Sequence, residues 1–316
     1  MRALIFDGSL RLDADVPLPQ LQGDQALLKI RKAGICNTDL ELIRGYKNFS
    51  GILGHEFVAE VVQGPEHLIG KRVVGEINVP CGRCDFCQRG IPSQCRSRSA
   101  VGISNHPGAF AEYLALTTQN LHVVPDHITD DEAVFLEPLA AALNILEMVQ
   151  ISPRDHVLVL GVGKLGMLVA QVLRLTGAQI TGVVRREKQA ELLTSWGIAA
   201  AYFEDLPQQQ AQIVVDCTGQ AEGFANALQL VEPRGTIVLK STYEELPHAD
   251  LSRIAVHELR IVGSRCGHFP AALRLLSTGA IDIASLIDVR YPLNEAPAAL
   301  ECAAQKGVLK VLLDVY

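Results

Sequence analysis

Positive charge is in deficit in this chain: 28 Lys and Arg against 35 Asp and Glu leave a net charge of −7 over 316 residues. That balance argues against nucleic acid or an anionic membrane as the main partner. An unbroken apolar span is also missing. The longest candidate, Val157 to Leu175, is interrupted by Lys164, Arg174 and its glycines, and divides better into a strand, a glycine turn and a helix. The opening Met-Arg-Ala-Leu-Ile-Phe-Asp-Gly passes from a short apolar stretch into a turn, without the long apolar region and small-residue cleavage site of a signal peptide. A cytosolic location is therefore expected. Internal repeats and low-complexity segments are absent, and Gln208 to Gln210 is only a polar loop. With 48% hydrophobic and 20% charged residues, nothing points to disorder, and the length suits two domains with sizeable cores.

The texture changes along the chain. The first 130 or so residues are rich in valine, glycine and proline, with short apolar runs such as 25–30, 57–62, 71–74 and 112–116 between turns. This pattern predicts a β-rich, irregular domain. From about residue 140, strand-like runs (156–160, 179–184, 212–216, 236–239, 259–263) alternate with helical patterns (164–176, 187–196, 221–230). Such alternation predicts an α/β doubly wound parallel sheet. A helix over 271–277, a second helix and a last strand over 309–315 follow. The division expected is 1–141, 142–265 and 266–316, with the last segment returning to the first domain.

Against these absences, cysteine is conspicuous. Cys81, Cys84, Cys87 and Cys95 fall within fifteen residues, as two Cys-x-x-Cys steps sharing Cys84 and a fourth thiol further on. Four thiolates so spaced can close a tetrahedron around one Zn²⁺, with no position left for chemistry. The site is then structural, pinning a lobe over 78–98 too small to bury a core of its own. A pair of disulfides, or core-filling thiols, is the competing reading, and nothing marks the chain as exported.

Gly161-Val-Gly163-Lys164-Leu165-Gly166 follows a buried run and opens a helix. In that setting Gly161 permits a tight turn, Gly163 lets backbone approach a pyrophosphate, and Gly166 lets helix and strand pack closely. The amides at the helix start favour the phosphates. About twenty residues on, where an acid would bind the ribose of NAD, stand Arg185 and Arg186. Guanidinium groups bind a 2′-phosphate, so NADP(H) is expected over NAD(H). The alternative is that both arginines are solvated at a helix start and Glu187 faces the ribose.

Three further stretches are Gly34-Ile-Cys36-Asn-Thr38-Asp39, Gly54-His55-Glu56 and Leu136-Glu137-Pro138-Leu139. A thiolate, an imidazole and a carboxylate can hold Zn²⁺ and leave room for substrate. Spacing alone does not join them. Together with the four-cysteine lobe, the glycine turn, Asp216-Cys-Thr-Gly219 and Gly263-Ser-Arg, however, they occur in the order found in zinc-containing medium-chain dehydrogenase/reductases. The chain resembles that family over nearly its whole length, and its Glu-Pro-Leu form resembles the sorbitol, threonine and glucose dehydrogenase branch.

The resemblance implies a GroES-like (distorted β-barrel) catalytic domain beside a Rossmann domain, with the active site in a cleft between them. It implies two Zn²⁺ per subunit. The catalytic ion would be held by Cys36 and His55, with Glu56 and Glu137 in or next to its coordination shell and Asp39 behind His55. Thr38 would bond the substrate oxygen and start a proton relay. The reaction implied is reversible hydride transfer between NADP(H) and an alcohol or polyol, or the matching aldehyde or ketone. A homodimer or homotetramer is implied, paired through an edge strand of the Rossmann domain. Relatives often carry a histidine where this chain has Glu41, which is open to three readings: proton shuttle, substrate contact or solvated helix residue. Lys310, beginning the last strand, either balances the zinc-site carboxylates or faces solvent. The loop between Cys36 and His55 is shorter than usual, which leaves the substrate open. The competing functions are a zinc-free quinone or enoyl reductase on the same fold, and a silent NADPH-binding scaffold.

Overall fold

Along 25–30 of the strand Gln25–Gly34 every second side chain turns inward, so Ala26, Leu28 and Ile30 are buried while Gln25, Leu27 and Lys29 are only partly so. This period of two is what a strand with one core-facing side requires. In the computed structural model, which describes residues 1–243 and 246–316, that strand is the organising element of one of two compact units. The first unit comprises Met1–Glu137 and Phe269–Tyr316, and the second Pro138–His268. The divisions expected at 141/142 and 265/266 thus lie slightly elsewhere. Leu136–Met148 is one continuous helix, so the first boundary falls inside an element rather than in a loop.

In the first unit a seven-stranded sheet runs in the order Leu121–Val123, Arg72–Gly75, Glu56–Gln63, Gln25–Gly34, Lys310–Asp314 and Ile287–Pro292, with Tyr113–Thr117 also paired to Gln25–Gly34. Pairing is antiparallel except between the last two strands in that order. Residues of this sheet, with Leu4, Leu40, Leu53, Phe110 and Leu300, make one core. A short ladder, Asn78–Val79 against Ser99–Ala100, closes the base of the cysteine lobe.

In the second unit six parallel strands lie in the order Ala199–Tyr202, Gln179–Val184, His156–Leu160, Ala211–Asp216, Val231–Leu239 and Arg260–Gly263. The order reverses direction on either side of His156–Leu160, which is the doubly wound arrangement. Ala199–Tyr202 carries no strand signal in its Ala-rich sequence and is set at one edge by pairing with Gln179–Val184 and by contact with helix Glu187–Ser195. Val231–Leu239 starts five residues before its β-branched run, at a register shift. Among the described residues no helix is long and apolar enough to cross a membrane.

Candidate active site

Antiparallel pairing explains why Cys36 and Glu56 meet. Gly34, the last residue of Gln25–Gly34, pairs with Glu56, the first of Glu56–Gln63. Two residues beyond Gly34, Cys36 caps the helix Asn37–Ile43, and His55 immediately precedes Glu56. One donor atom each from Cys36, His55 and Glu56 fall within 4.8 Å of one another. Gly34 leaves room for this convergence, since a Cβ there would lie 2.5 Å from Glu56 Oε2 and 2.8 Å from Val134 Cγ1.

Behind the donors stand two buried ionic groups. Asp39, fully buried at the third position of its helix, accepts from the Cys36 amide at Oδ2 (2.9 Å) and from the Gly54 amide at Oδ1 (3.2 Å). It therefore ties together the two loops that carry Cys36 and His55. His55 Nδ1, buried, lies 3.2 Å from Asp39 Oδ1, so the carboxylate faces that side of the imidazole ring. On the other side Lys310, also buried, donates to Glu56 Oε2 at 2.5 Å and reaches the Ile35 carbonyl at 3.5 Å. Its strand pairs next to Gly34, with Leu312 opposite it.

Charge at this site is unusual for a protein interior. Burial opposes a proton on His55, but the Asp39 and Cys36 charges outweigh it and raise the imidazole well above its ordinary value. Burial likewise opposes the Lys310 ammonium, and Glu56, then Cys36, hold it above the usual lysine range. The nucleus of Cys36, Asp39 and Glu56 thus attracts positive charge from every cationic group within reach. A convergent sulfur, nitrogen and carboxylate set in an anionic pocket fits a divalent zinc ion.

The other expected residues are distributed around this cluster. Cys36 Sγ lies 3.7 Å from Thr38 Oγ1. Glu137, the second residue of its helix and half-buried, does not join the donors that lie within 4.8 Å. Glu41 accepts from Arg44 at 2.8 Å and from Asn37 at 3.4 Å, a local pairing on its own helix. Lys310 is the residue left open by sequence that structure brings into the site. Its signal was a lone cation inside the apolar run Val308-Leu-Lys-Val-Leu-Leu313.

In the cysteine lobe all four sulfurs converge within 4.8 Å, and all are free thiols. Cys84 Sγ is 3.5 Å from Cys87 Sγ and 3.8 Å from Cys95 Sγ, too far for disulfides. Backbone amides of Arg96 and Cys87 lower the Cys84 thiol to about 6, whereas burial and the neighbouring thiols push Cys87 up to about 12. One ready thiolate among crowded thiols suits a cation that displaces the remaining protons.

The second unit carries the glycine turn at the end of His156–Leu160. Gly161 has φ +78°, and a Cβ on it would strike the Thr218 backbone at 2.8 Å. A Cβ on Gly166 would lie 2.2 Å from the Gly161 carbonyl oxygen, so helix Lys164–Arg174 packs against the turn only because that side chain is missing. Gly163, by contrast, has nothing within 4 Å of where a Cβ would be. That open face, with half-buried Lys164 and Leu165 at the helix start, fits a dinucleotide pyrophosphate. Arg185 and Arg186 are exposed just past Gln179–Val184, with Arg186 capping helix Glu187–Ser195. Nearby, buried Asp216 accepts from the Thr218 amide and hydroxyl and from the Tyr243 hydroxyl (2.7 Å), holding the loop after the next strand.

A doubly wound nucleotide sheet in one unit, and a sulfur–nitrogen–carboxylate donor set in the other, are the parts of a nucleotide-linked oxidoreductase. Known proteins agree. The pattern of the alcohol dehydrogenase GroES-like domain matches residues 22–126, and that of the zinc-binding dehydrogenases residues 165–278. D-arabitol-phosphate dehydrogenase of Enterococcus avium is 27% identical over 326 residues, covering 95% of this chain and 92% of that protein. A zinc-binding dehydrogenase of Sinorhizobium meliloti 1021, solved with NADP, superposes with a TM-score of 0.91 at 30% identity over 99% of both chains. An alcohol dehydrogenase from E. coli CFT073, solved with NADH, gives 0.92 at 26% identity over 100% of this chain and 99% of the other. The chain belongs to the zinc-type medium-chain dehydrogenase/reductases, with their GroES-like and Rossmann folds. It is an oxidoreductase of alcohol dehydrogenase type, in a family that works with zinc and a nicotinamide nucleotide.

Proposed function

We propose that this enzyme catalyses reversible, zinc-dependent hydride transfer between NADP(H) and a polyol or other alcohol, or the matching carbonyl compound. The observation that carries this reading is the convergence of Cys36, His55 and Glu56 donors within 4.8 Å. The name of the D-arabitol-phosphate relative favours a polyol-like substrate. Two zinc ions per chain are proposed, one at these donors and one at Cys81, Cys84, Cys87 and Cys95.

Zinc bound at the first site supplies Lewis acidity at the substrate oxygen, and the nicotinamide carries the hydride. The protein's own residues do the rest. Cys36 and His55 are the fixed donors. Asp39 keeps them in register by holding the amides of Cys36 and Gly54. Glu56 is the carboxylate donor, and its bond to Lys310 prevents surplus negative charge from accumulating at the metal. Glu137, outside the cluster, is assigned to its surroundings rather than to direct coordination. The Thr38 hydroxyl, beside Cys36 Sγ, is the group that takes the substrate hydroxyl proton onward. A panel of polyols, alcohols and carbonyl compounds, assayed with zinc-replete protein and both nucleotides, tests the reading. Turnover of an enone or quinone alone, unaffected by zinc removal, would contradict it.

NADP(H) preference is assigned to Arg185 and Arg186. The NADP-bound relative supports it, and the NADH-bound one shows that the fold itself accepts either nucleotide. Exchanging both arginines for alanine is expected to raise the Kd for NADPH at least about tenfold, since charge-assisted bonds to the 2′-phosphate are lost. The Kd for NADH is expected to stay within about twofold. An equal loss for both nucleotides, measured by nicotinamide fluorescence, would contradict the assignment.

A homo-oligomer is proposed through Arg260–Gly263. This strand ends the six-strand order, and three of its four residues are exposed, Ile261 among them at 39%. The adjoining helix Leu251–Val256 exposes Leu251 (71%) and Val256 (77%). An apolar sheet edge of this kind invites a second copy. Ile261→Glu is expected to shift the protein to monomer in light scattering after gel filtration. An unchanged mass would place the contact elsewhere.

A further inference from the structure

We infer that Gln189 is a positioning residue for the nucleotide, a clamp that locks the two phosphate-facing loops to each other. The inference rests on the reading of the glycine turn as a dinucleotide site.

Gln189 is the third residue of helix Glu187–Ser195 and is half-buried. Its Nε2 donates to the Val162 carbonyl at 2.9 Å, and its Oε1 accepts from the Arg185 amide at 3.0 Å. Val162 is the residue between Gly161 and Gly163, at the end of His156–Leu160. Arg185 follows directly on Gln179–Val184. These strands are parallel neighbours, with Leu160 paired to Val183, so the two loops leave adjacent strand ends. One carboxamide therefore spans the loop that receives the pyrophosphate and the loop proposed to receive the 2′-phosphate.

The chemistry of the two contacts suits this side chain. A donor must meet the Val162 carbonyl while an acceptor meets the Arg185 amide, and the Gln189 carboxamide offers both from one planar group without a change of protonation. The partners also fix its orientation, because a flipped carboxamide would face carbonyl with carbonyl and amide with amide. Val162 is buried, and its Cγ1 lies 3.1 Å from where a Cβ on Gly182 would be. The glycine turn is thus wedged by packing on one side and held by Gln189 on the other.

A helix cap is the simpler role for a glutamine at this position. The two roles differ in what they predict. A cap stabilises the helix and leaves affinity alone, whereas a clamp orders the pyrophosphate loop that NADPH and NADH share. With metal-replete, nucleotide-free enzyme, Gln189→Met removes both bonds at nearly constant length. The expected result is a rise of about tenfold in Kd for NADPH and for NADH alike, with the melting temperature of the nucleotide-free protein within about two degrees of wild type. Unchanged Kd values, with or without a lower melting temperature, would overturn the clamp, as would a loss confined to NADPH. Should Gln189→Met fail to fold, Gln189→Glu serves instead. It keeps an acceptor for the Arg185 amide, offers nothing to the Val162 carbonyl, and is expected to weaken NADH binding as well; wild-type NADH affinity would overturn the clamp. A wild-type enzyme that binds neither nucleotide contradicts the reading of the glycine turn, and the clamp with it. A wild type that binds both, matched by Gln189→Met, contradicts the clamp alone.

Discussion

Cys36→Ala is expected to cut turnover by a factor of at least about a thousand while leaving the melting temperature within about two degrees of wild type. The size follows from the role proposed for the cluster. A Lewis acid at the substrate oxygen contributes several kcal/mol of charge stabilisation in the transition state, and each ~1.4 kcal/mol is a factor of ten in rate. Cys36 supplies the thiolate of a three-donor set, and its removal leaves an imidazole and a carboxylate already bonded to Lys310. The fold does not depend on that thiol. Asp39 accepts from the backbone amide of residue 36, which alanine retains, and the Glu56–Lys310 pair is untouched. Steady-state rates and a thermal melt, taken on the same preparation, separate the two effects. A variant that melts early and is inactive for that reason would not support a catalytic metal.

Cys84→Ala is expected to show the opposite order of damage: a fall in melting temperature on the order of ten degrees, with activity lost as a consequence. Within the lobe from Cys81 to Cys95 only Cys95 is buried, and Phe86 and Ile91 remain partly or wholly exposed. A segment with so little core has few means of holding its shape except the metal that its four sulfurs can share. The single two-residue ladder at its base, Asn78–Val79 with Ser99–Ala100, is too short to fix it. A strong chelator is expected to reproduce the loss of stability in wild-type protein, and zinc to reverse it. A melting curve indifferent to both the substitution and the chelator would show that the lobe is held without metal.

The cysteine lobe and the glycine turn were legible in the sequence because each is local: a few residues at fixed spacing carry the whole signal. The helix over 221–230 was readable for the same reason and is observed as Ala221–Leu230. Ala199–Tyr202 was not, since alanine has no preference for strand and its neighbour's ladder makes it one. The candidate donors were harder. Cys36, His55, Glu56 and Glu137 were gathered by resemblance to a family, and the physical cause that brings the first three together, Gly34 pairing with Glu56, is a register that no local pattern reveals. That register also sets Glu56, and not Glu137, beside Cys36 and His55. Lys310 is separated from Glu56 by 254 residues and reaches it because its strand lies next to Gln25–Gly34. Gln189 gave no signal, because a glutamine near a helix start is ordinary until the loop it bonds is known.

The central claim is that Cys36, His55 and Glu56 hold one zinc ion and the four lobe cysteines another. Metal content by mass spectrometry, on protein equilibrated with zinc and then desalted, tests it most directly. Two zinc ions per chain in the wild type and one in Cys36→Ala are predicted. One ion per chain in both proteins would contradict the account.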